Sequence, residues 1–456
     1  MSSIEGLLAD ASEIIWGPYL LIPLLLCTGL YLTFMLRGLQ FRQLGPSLWF
    51  ALIRRRDDST DGDVTHFQAL TTALAATVGV GNIAGVATAI HLGGPGALFW
   101  MWFTGLVGMA TKYSEAFLGV RFRRTDAKGE QSGGPMFYLS EGIRGPLGAV
   151  LGVSFALFAV FASFGIGNMT QSNTVATQFD SSFDIPVVAT AIVLTIGAAA
   201  VIIGGIKSIG RFTSAFVPIM IVLYVGGAIV VLAANITDLP GAIGLIVSDA
   251  FTGTAAAGGF GGAAFLAALR YGVARGIFSN ESGLGTGGIA AAAAQTTHPV
   301  RQALVSMTQT FIDTLVVVTF TGLVIVTTGA WKLGDAYDGA PMTAEAFARG
   351  LPGDWGHYIV AISVGFFAFS TLLGWSYYGE RCIDRLAGRR WVVPYRLVFV
   401  VVIFIGAMAE LEVVWMFSDV MNGLMALPNL VGLILLAPLV SRETREYLQD
   451  KLVLRR

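Results

Sequence analysis

From Val64 to Thr111 the chain runs without a single Asp, Glu, Lys or Arg. A run of that length is at home only in a bilayer or a deep core. The rest of the sequence decides between the two. Of 456 residues, 55% are hydrophobic and only 12% are charged, and the mean hydropathy is +0.71. Soluble domains carry about 25% charged residues, so the chain reads as an all-α polytopic membrane protein. Further charge-free windows are Ile14–Leu36, Ile185–Ile206, Phe212–Thr237 and Trp355–Gly379. Each suffices for the ~20 residues that cross a ~30 Å hydrocarbon layer.

Eleven membrane segments are predicted: 14–36, 66–91, 96–120, 147–176, 184–206, 211–235, 258–295, 300–329, 355–380, 394–409 and 412–439. With the N-terminus outside, the inner loops hold most of the basic residues. They include Arg37, Arg42, Arg54, Arg55, Arg56, Arg121, Arg123, Lys128, Arg144, Lys207, Arg211, Arg301, Arg381, Arg385 and Arg396, against Lys332 and Arg349 outside. That asymmetry places the N-terminus outside and the C-terminus, with its basic tail, in the cytoplasm. The stretch Pro46–Arg55 suits an interfacial helix or a solvated loop. An acidic start (Glu5, Asp10, Glu13) and a long first apolar run argue against a cleavable signal peptide. Cys27 and Cys382 imply no disulfide framework. A net charge of −1 gives no sign of a nucleic-acid partner. There is no P-loop and no zinc-ligand spacing. His66, His91, His298 and His357 lie scattered at span ends, which does not suggest an enzyme's active site.

Two spans look interrupted. The first reads Thr77-Val78-Gly79-Val80-Gly81-Asn82, and the second carries Ser279–Gly285, SNESGLG. Glycine costs about 1 kcal/mol relative to alanine inside a helix. An unwound turn in a membrane also frees backbone groups that need partners. Small-residue packing is the other reading of the first stretch, since Gly81 and Gly85 are spaced as GxxxG. Set aside the segment 14–36 as an extra helix. Five segments then run through 66–235 and five through 258–439. The interruption falls in the first of each five, in opposite predicted directions. Paired breaks in matching places of two inverted halves point to a transporter's binding site. The whole chain 1–456 would form one transmembrane domain.

The runs TTALAATVGVGNIAGVATAI (71–90), GGPGALFWMW (93–102), GGPMFYL (133–139), GNMTQSNTVA (167–176), GVARGIFSNESGLGTGGIAAAA (272–293) and FIDTLVVVTFTGLVI (311–325) resemble the alanine/glycine:cation symporter family. The resemblance covers nearly the whole chain after about residue 60. It implies a leucine-transporter-like fold of ten core helices with one helix in front, in the plasma membrane of a prokaryote. It further implies inward transport of alanine, glycine or a close relative, coupled to sodium or to protons.

An amino acid presents a carboxylate, an ammonium and a side chain. The amides of Gly79, Val80 and Gly81 suit the carboxylate, because freed amides and the positive end of a half-helix attract anions. Oxygens of Phe278, Ser279 and Asn280 suit the ammonium. Simple capping of the half-helices would use the same atoms. For sodium, the carbonyls of Ala75 and Val78 could form one side of a cage. The resemblance puts the facing side on the span 355–380, where Phe367, Ser370 and Thr371 share a helical face. Neutral oxygens of this kind suit sodium better than a hard divalent ion, which wants several carboxylates. Ser370 and Thr371 bonded back to their own helix is the plainer reading. Thr77 and Asn82 are candidates for a second cation or ammonium site. Asp313, mid-way along the span 300–329, is a functional candidate by position: a sodium ligand, an ammonium partner, a proton carrier, or interhelical glue. Lys112 and Glu115 are spaced to pair with each other, and Glu281 to satisfy amides of the second break. Gln171 and Trp375 are further pocket candidates. A channel or receptor using the same pocket is the competing class, although no repeated pore loop is visible.

Overall fold

The computed structural model describes residues 3–17, 19–55, 57, 61–125, 129–252, 261–334, 337–409 and 412–453. Arg56, Lys128, Arg455 and Arg456 of the basic loops and tail lie outside them, as does the opening of the segment 258–295. Helix dominates. Among the described residues the strands are Arg124–Thr125 and Gln131–Ser132, paired antiparallel, and one isolated parallel bridge joins Val64 to Ala294.

Six helices among the described residues are long and apolar enough to cross a membrane: Pro146–Phe183, Gly205–Ala234, Pro299–Thr327, Trp355–Ala387, Arg389–Met408 and Val414–Gln449. Shorter apolar helices are Leu21–Met35, Ala84–Gly93, Val187–Ile202 and Leu239–Thr252. Their burial sorts them. The apolar window of Trp355–Ala387 is 78% buried, so this helix stands inside the bundle. Those of Gly205–Ala234 and Arg389–Met408 are only 33% buried. Their exposed Ile219, Val222, Val393, Leu397 and Val401 form an apolar outer surface of the kind a bilayer covers.

Several boundaries differ from expectation. The predicted segment 14–36 is not one rod: a helix Ser3–Ile15 precedes Leu21–Met35. Gly17 comes just before Pro18, and a residue before proline is pushed out of the α region. The last helix, Glu412–Val453, continues well past residue 439. Arg442 and Arg445 end the apolar window there without ending the helix. The stretch predicted as interfacial forms the helix Leu44–Trp49 and a wide turn over Phe50–Arg54. Among the described residues, the helices Leu39–Arg42, Pro135–Gly142, Leu239–Thr252 and Ala340–Gly350 in the connections have no counterpart among the predicted segments.

Both interruptions are present. Thr65 caps the first broken helix reciprocally: its hydroxyl accepts from the Gln68 amide, and the Gln68 side chain accepts from the Thr65 amide. The helix His66–Thr77 then stops, Gly79 is extended (φ −133°, ψ −157°), one tight turn spans Val80–Asn82, and Ala84–Gly93 resumes. The second broken helix stops at Asn280. Its break passes through left-handed Glu281 (φ 55°), Gly283 (φ 103°) and Gly285 (φ 89°) before Thr286–Ala292. Left-handed backbone strains any residue with a Cβ, which accounts for two of the three being glycine. The helix Gly96–Arg121 packs directly on the second half of this element, since a Cβ at Gly119 would strike the Gly288 backbone.

Candidate functional site

The first break lies against the interior helix Trp355–Ala387. Ser370 Oγ is 2.8 Å from the Phe367 carbonyl oxygen, 3.1 Å from that of Ala75 and 3.4 Å from that of Val78. Thr371 Oγ1 is 3.0 Å from the Phe367 carbonyl. Each hydroxyl has one proton to donate, so it cannot satisfy three carbonyls at once. Both hydroxyls are thus bonded back to the Phe367 carbonyl of their own helix, and Ser370, 0% exposed, also reaches two carbonyls of the first broken helix. Oxygens sharing a cation at the roughly 2.3–2.6 Å reach known for calcium stand about 3–3.7 Å apart. The spacings of 3.0, 3.1 and 3.4 Å between these oxygens fall within that range. Among the described residues no three His, Cys, Asp or Glu side chains converge, and these donors are neutral. A Cβ at Gly79 would collide with Thr371 Oγ1 and approach Gln171 Oε1 at 3.3 Å. Glycine is needed here for closeness rather than for its φ.

The two breaks meet across Asp313. Its Oδ1 accepts from Asn82 Nδ2 at 2.8 Å, on the first break. Its Oδ2 accepts from Ser279 Oγ at 2.8 Å, on the second, and from Thr314 Oγ1 at 2.9 Å. The carboxylate is fully buried and lies in a wide helical turn, Phe311–Val318. Such turns often sit at functional sites. Gln309, one turn earlier, makes a second bridge: its Nε2 donates to Thr77 Oγ1 (2.9 Å) and to the Asn280 carbonyl (3.2 Å). Its Oε1 is buried without a partner. Asn280 Nδ2 donates to Thr314 Oγ1 (3.0 Å), and Gly81 approaches the Phe278 ring, which a Cβ would meet at 3.0 Å.

The first break's own polar groups are largely engaged. Asn82 Oδ1 accepts from the Gly79 amide (2.9 Å), and Gln171 Oε1 accepts from the Val80 amide (3.3 Å). Thr321 and Thr343 donate to the carbonyls of Asn82 and Ile83. Gln171 is thus placed against the break. Trp375 is buried against Gly167, one turn beyond Thr371. A cavity of about 270 Å³ opens beside the break, lined by Val80, Gly81, Thr88, Arg275, Phe278 and Trp415 among others. It lies on the side away from the tied end at Val64 and Ala294.

The second break is held by a charged clamp that spacing alone did not suggest. Lys112 and Glu115 do pair, at 3.8 Å, but their main contacts reach across to the other helix. Glu115 Oε1 accepts from the amides of Gly283 and Gly285 and from Asn429 Nδ2, at 2.8–2.9 Å. Lys112 Nζ donates to the Glu281 carbonyl at 3.1 Å. Glu281 was expected to satisfy the break's amides. Its carboxylate instead accepts from the Thr286 hydroxyl at 2.6 Å, because its left-handed backbone carries the side chain toward the next half-helix. Gln309 had a sequence signal in its i, i+4 spacing to Asp313. Asn429 had none, since it reaches the site only through the packing of the last helix.

Two interrupted helices packed break to break around buried oxygens are the mark of a secondary transporter. The chain belongs to the sodium:alanine symporter family, whose profile it matches over residues 1–453; this is a family of symporters rather than enzymes. The sodium/alanine symporter AgcS of Methanococcus maripaludis is 51% identical over 445 residues, 97% of each chain. The amino-acid carrier protein AlsT of Bacillus subtilis is 34% identical, over 99% of this chain and 93% of its own. The crystal structure of MhsT in complex with L-phenylalanine matches with a TM-score of 0.58, covering 84% of this chain and 98% of that one. At 13% identity this last likeness shows the fold alone.

Proposed function

We propose that this chain imports a small neutral amino acid, alanine or glycine, together with sodium. Its core would be ten spans in two inverted halves, 66–235 and 258–439, with one helix in front. The observation that carries the reading is the meeting of the two breaks across one buried carboxylate, Asp313. The amino acid would lie between the breaks, its carboxylate at Gly79–Gly81, taking over amides that Asn82 and Gln171 hold in this structure, and its ammonium toward Phe278, Ser279 and Asn280. Gln171 and Trp375 would border it. Sodium would lie among Ala75, Val78, Phe367, Ser370 and Thr371. A second cation, or a proton, would be held by Asp313 with Asn82 and Thr77. The name of AgcS, a sodium/alanine symporter over nearly the same length, supports the choice of ion and substrate.

In this reading the cavity beside Gly81 faces outside and the tied end faces the cytoplasm. Sodium holding Ala75 and Val78 against the interior helix would favour that closed inner face, and its release would free the first half-helix. The test is uptake of labelled alanine and glycine into proteoliposomes under an imposed sodium gradient, a proton gradient, or neither. Accumulation driven by sodium alone is expected. Uptake that ignores every gradient would favour a channel, and uptake driven only by protons would move the coupling to Asp313.

A further inference from the structure

On the basic-loop face, well away from the breaks, the helix Leu21–Met35 ends in an unusual turn. Arg37 (φ 56°) and Gly38 (φ 63°) are both left-handed, and the short helix Leu39–Arg42 follows. The last helix docks at the same place, Ser441 Oγ donating to the Met35 carbonyl at 2.8 Å. Between these elements is a cavity of about 150 Å³, lined by Arg37, Arg42 and Arg445 with Gln43, Leu36 and Leu448 among its other walls.

Three exposed arginines thus line one small space, and among the described residues none of them makes an ion pair. Arg42 donates to the Arg37 carbonyl (3.4 Å) and Arg445 to the Ser441 carbonyl (3.1 Å). Both are neutral acceptors. The nearby carboxylate of Glu443 is already taken by Arg121 at 3.2 Å. Like charges gathered in this way repel unless an anion joins them, and guanidinium forks match phosphate oxygens in particular. The surroundings say what carries the phosphate. Phe34 (80% exposed), near the end of the helix Leu21–Met35, and Phe41 (60% exposed), next to Arg42, flank the turn in sequence, and Phe34 is spaced i, i+3 and i, i+4 from exposed Tyr31 and Leu30. A free anion has no use for exposed apolar surface next to the arginines, whereas acyl chains do.

We propose that this cavity binds the headgroup of an anionic phospholipid, with its chains lying over Phe34 and Phe41. The lipid would bridge the extra first helix to the last helix, two elements at opposite ends of the sequence. Basic pockets between spans on the cytoplasmic side are known to take anionic headgroups.

The test uses the purified full-length chain in an uncharged detergent. It is titrated with dioleoyl phosphatidylglycerol, dioleoyl phosphatidylcholine or inorganic phosphate, and bound lipid is counted by native mass spectrometry. Phosphatidylglycerol should be retained at a saturable site and phosphatidylcholine should not. Arg37→Gln, Arg42→Gln and Arg445→Gln should each weaken retention about fivefold, as expected for roughly 1 kcal/mol per arginine. Arg144→Gln, at an exposed arginine elsewhere in the basic loops, should leave it unchanged. Three results would each overturn the proposal: equal retention of the two lipids, wild-type retention by the variant lacking all three arginines, or displacement of the lipid by millimolar inorganic phosphate.

Discussion

At the residue scale, Thr371 and Asp313 mark the two proposed cation sites and can be separated. Thr371→Ala removes one of about five oxygens from the proposed cage, and the two packed helices that hold the others cannot close the gap. Losing one such contact in a buried site costs on the order of 1–3 kcal/mol, so sodium affinity should fall about ten- to hundredfold. Coupling is reciprocal, so alanine affinity at low sodium should fall too and recover at high sodium. Thr371→Ser keeps the oxygen and should behave like wild type. Asp313→Asn is the contrast. If Asp313 carries a proton, the variant loses pH dependence and keeps its sodium curve; if it only joins helices, neither curve moves. Alanine binding titrated with sodium at two pH values reads all three variants, and a wild-type sodium curve for Thr371→Ala would remove the cage from the mechanism. That Ala75, Val78, Phe367, Ser370 and Thr371 lie together was legible only with the family resemblance, which pointed to the span 355–380; helical spacing then set Phe367, Ser370 and Thr371 on one face, and the glycines marked where carbonyls come free. The partners of Asp313 on the second break were less so. Ser279 and Asn82 are far apart in sequence, and only packing brings both onto one carboxylate.

At the element scale, the second break depends on a neighbouring helix. Glu115 supplies the acceptor for two amides that the unwinding at Gly283 and Gly285 sets free, and Lys112 holds the last carbonyl region of the half-helix before it. Glu115→Ala would leave the amides of Gly283 and Gly285 buried without acceptors, take one of two acceptors from Asn429 Nδ2, and leave Lys112 without its paired carboxylate. Breaking a buried pair in this way costs about 3–5 kcal/mol, so the variant should unfold at a lower temperature in detergent and lose transport. Glu115→Gln keeps one acceptor oxygen and should fall between the two. An unchanged melting curve for Glu115→Ala would mean that the break needs no clamp. The position of each interruption was readable from its glycines, but the clamp was not. In sequence Lys112 and Glu115 look like an ordinary i, i+3 pair, and that contact, at 3.8 Å, is the longest they make. The wide turns at Gly165–Met169 and Phe311–Val318 were also invisible, because a span is recognised by its overall apolarity, which the shift of face from an extra residue per turn leaves unchanged.

At the scale of the whole molecule, the question is which end opens and what keeps the other closed. The segment before the first broken helix is tied to the end of the second. Val64 bridges to Ala294, the Asp63 amide donates to the Ala293 carbonyl at 2.8 Å, and Arg123 Nη1 donates to the carbonyls of Ala292 (3.2 Å) and Ala294 (2.7 Å). Arg123 Nη2 reaches the Asp61 carbonyl at 3.1 Å. One guanidinium therefore staples both broken helices together on the basic-loop face. Charged-donor hydrogen bonds contribute about 1.5–3 kcal/mol, so Arg123→Ala should shift the balance toward opening at that face about ten- to hundredfold. Ala293 is a suitable reporter, since it is small, fully buried and placed at the tie. In a background with Cys27→Ser and Cys382→Ser, an Ala293→Cys protein should react slowly with an impermeant maleimide applied to inside-out vesicles. Adding Arg123→Ala should raise that rate at least tenfold, and sodium should lower it again, because the cation holds the first half-helix against Ser370 and Thr371. In intact cells neither protein should react from outside. Labelling from outside would reverse the orientation inferred from the basic loops. Equal rates with and without Arg123 would mean that the tie at Val64 and Ala294 holds without its staple, and that the energy keeping this face shut resides in the packing of the broken helices themselves.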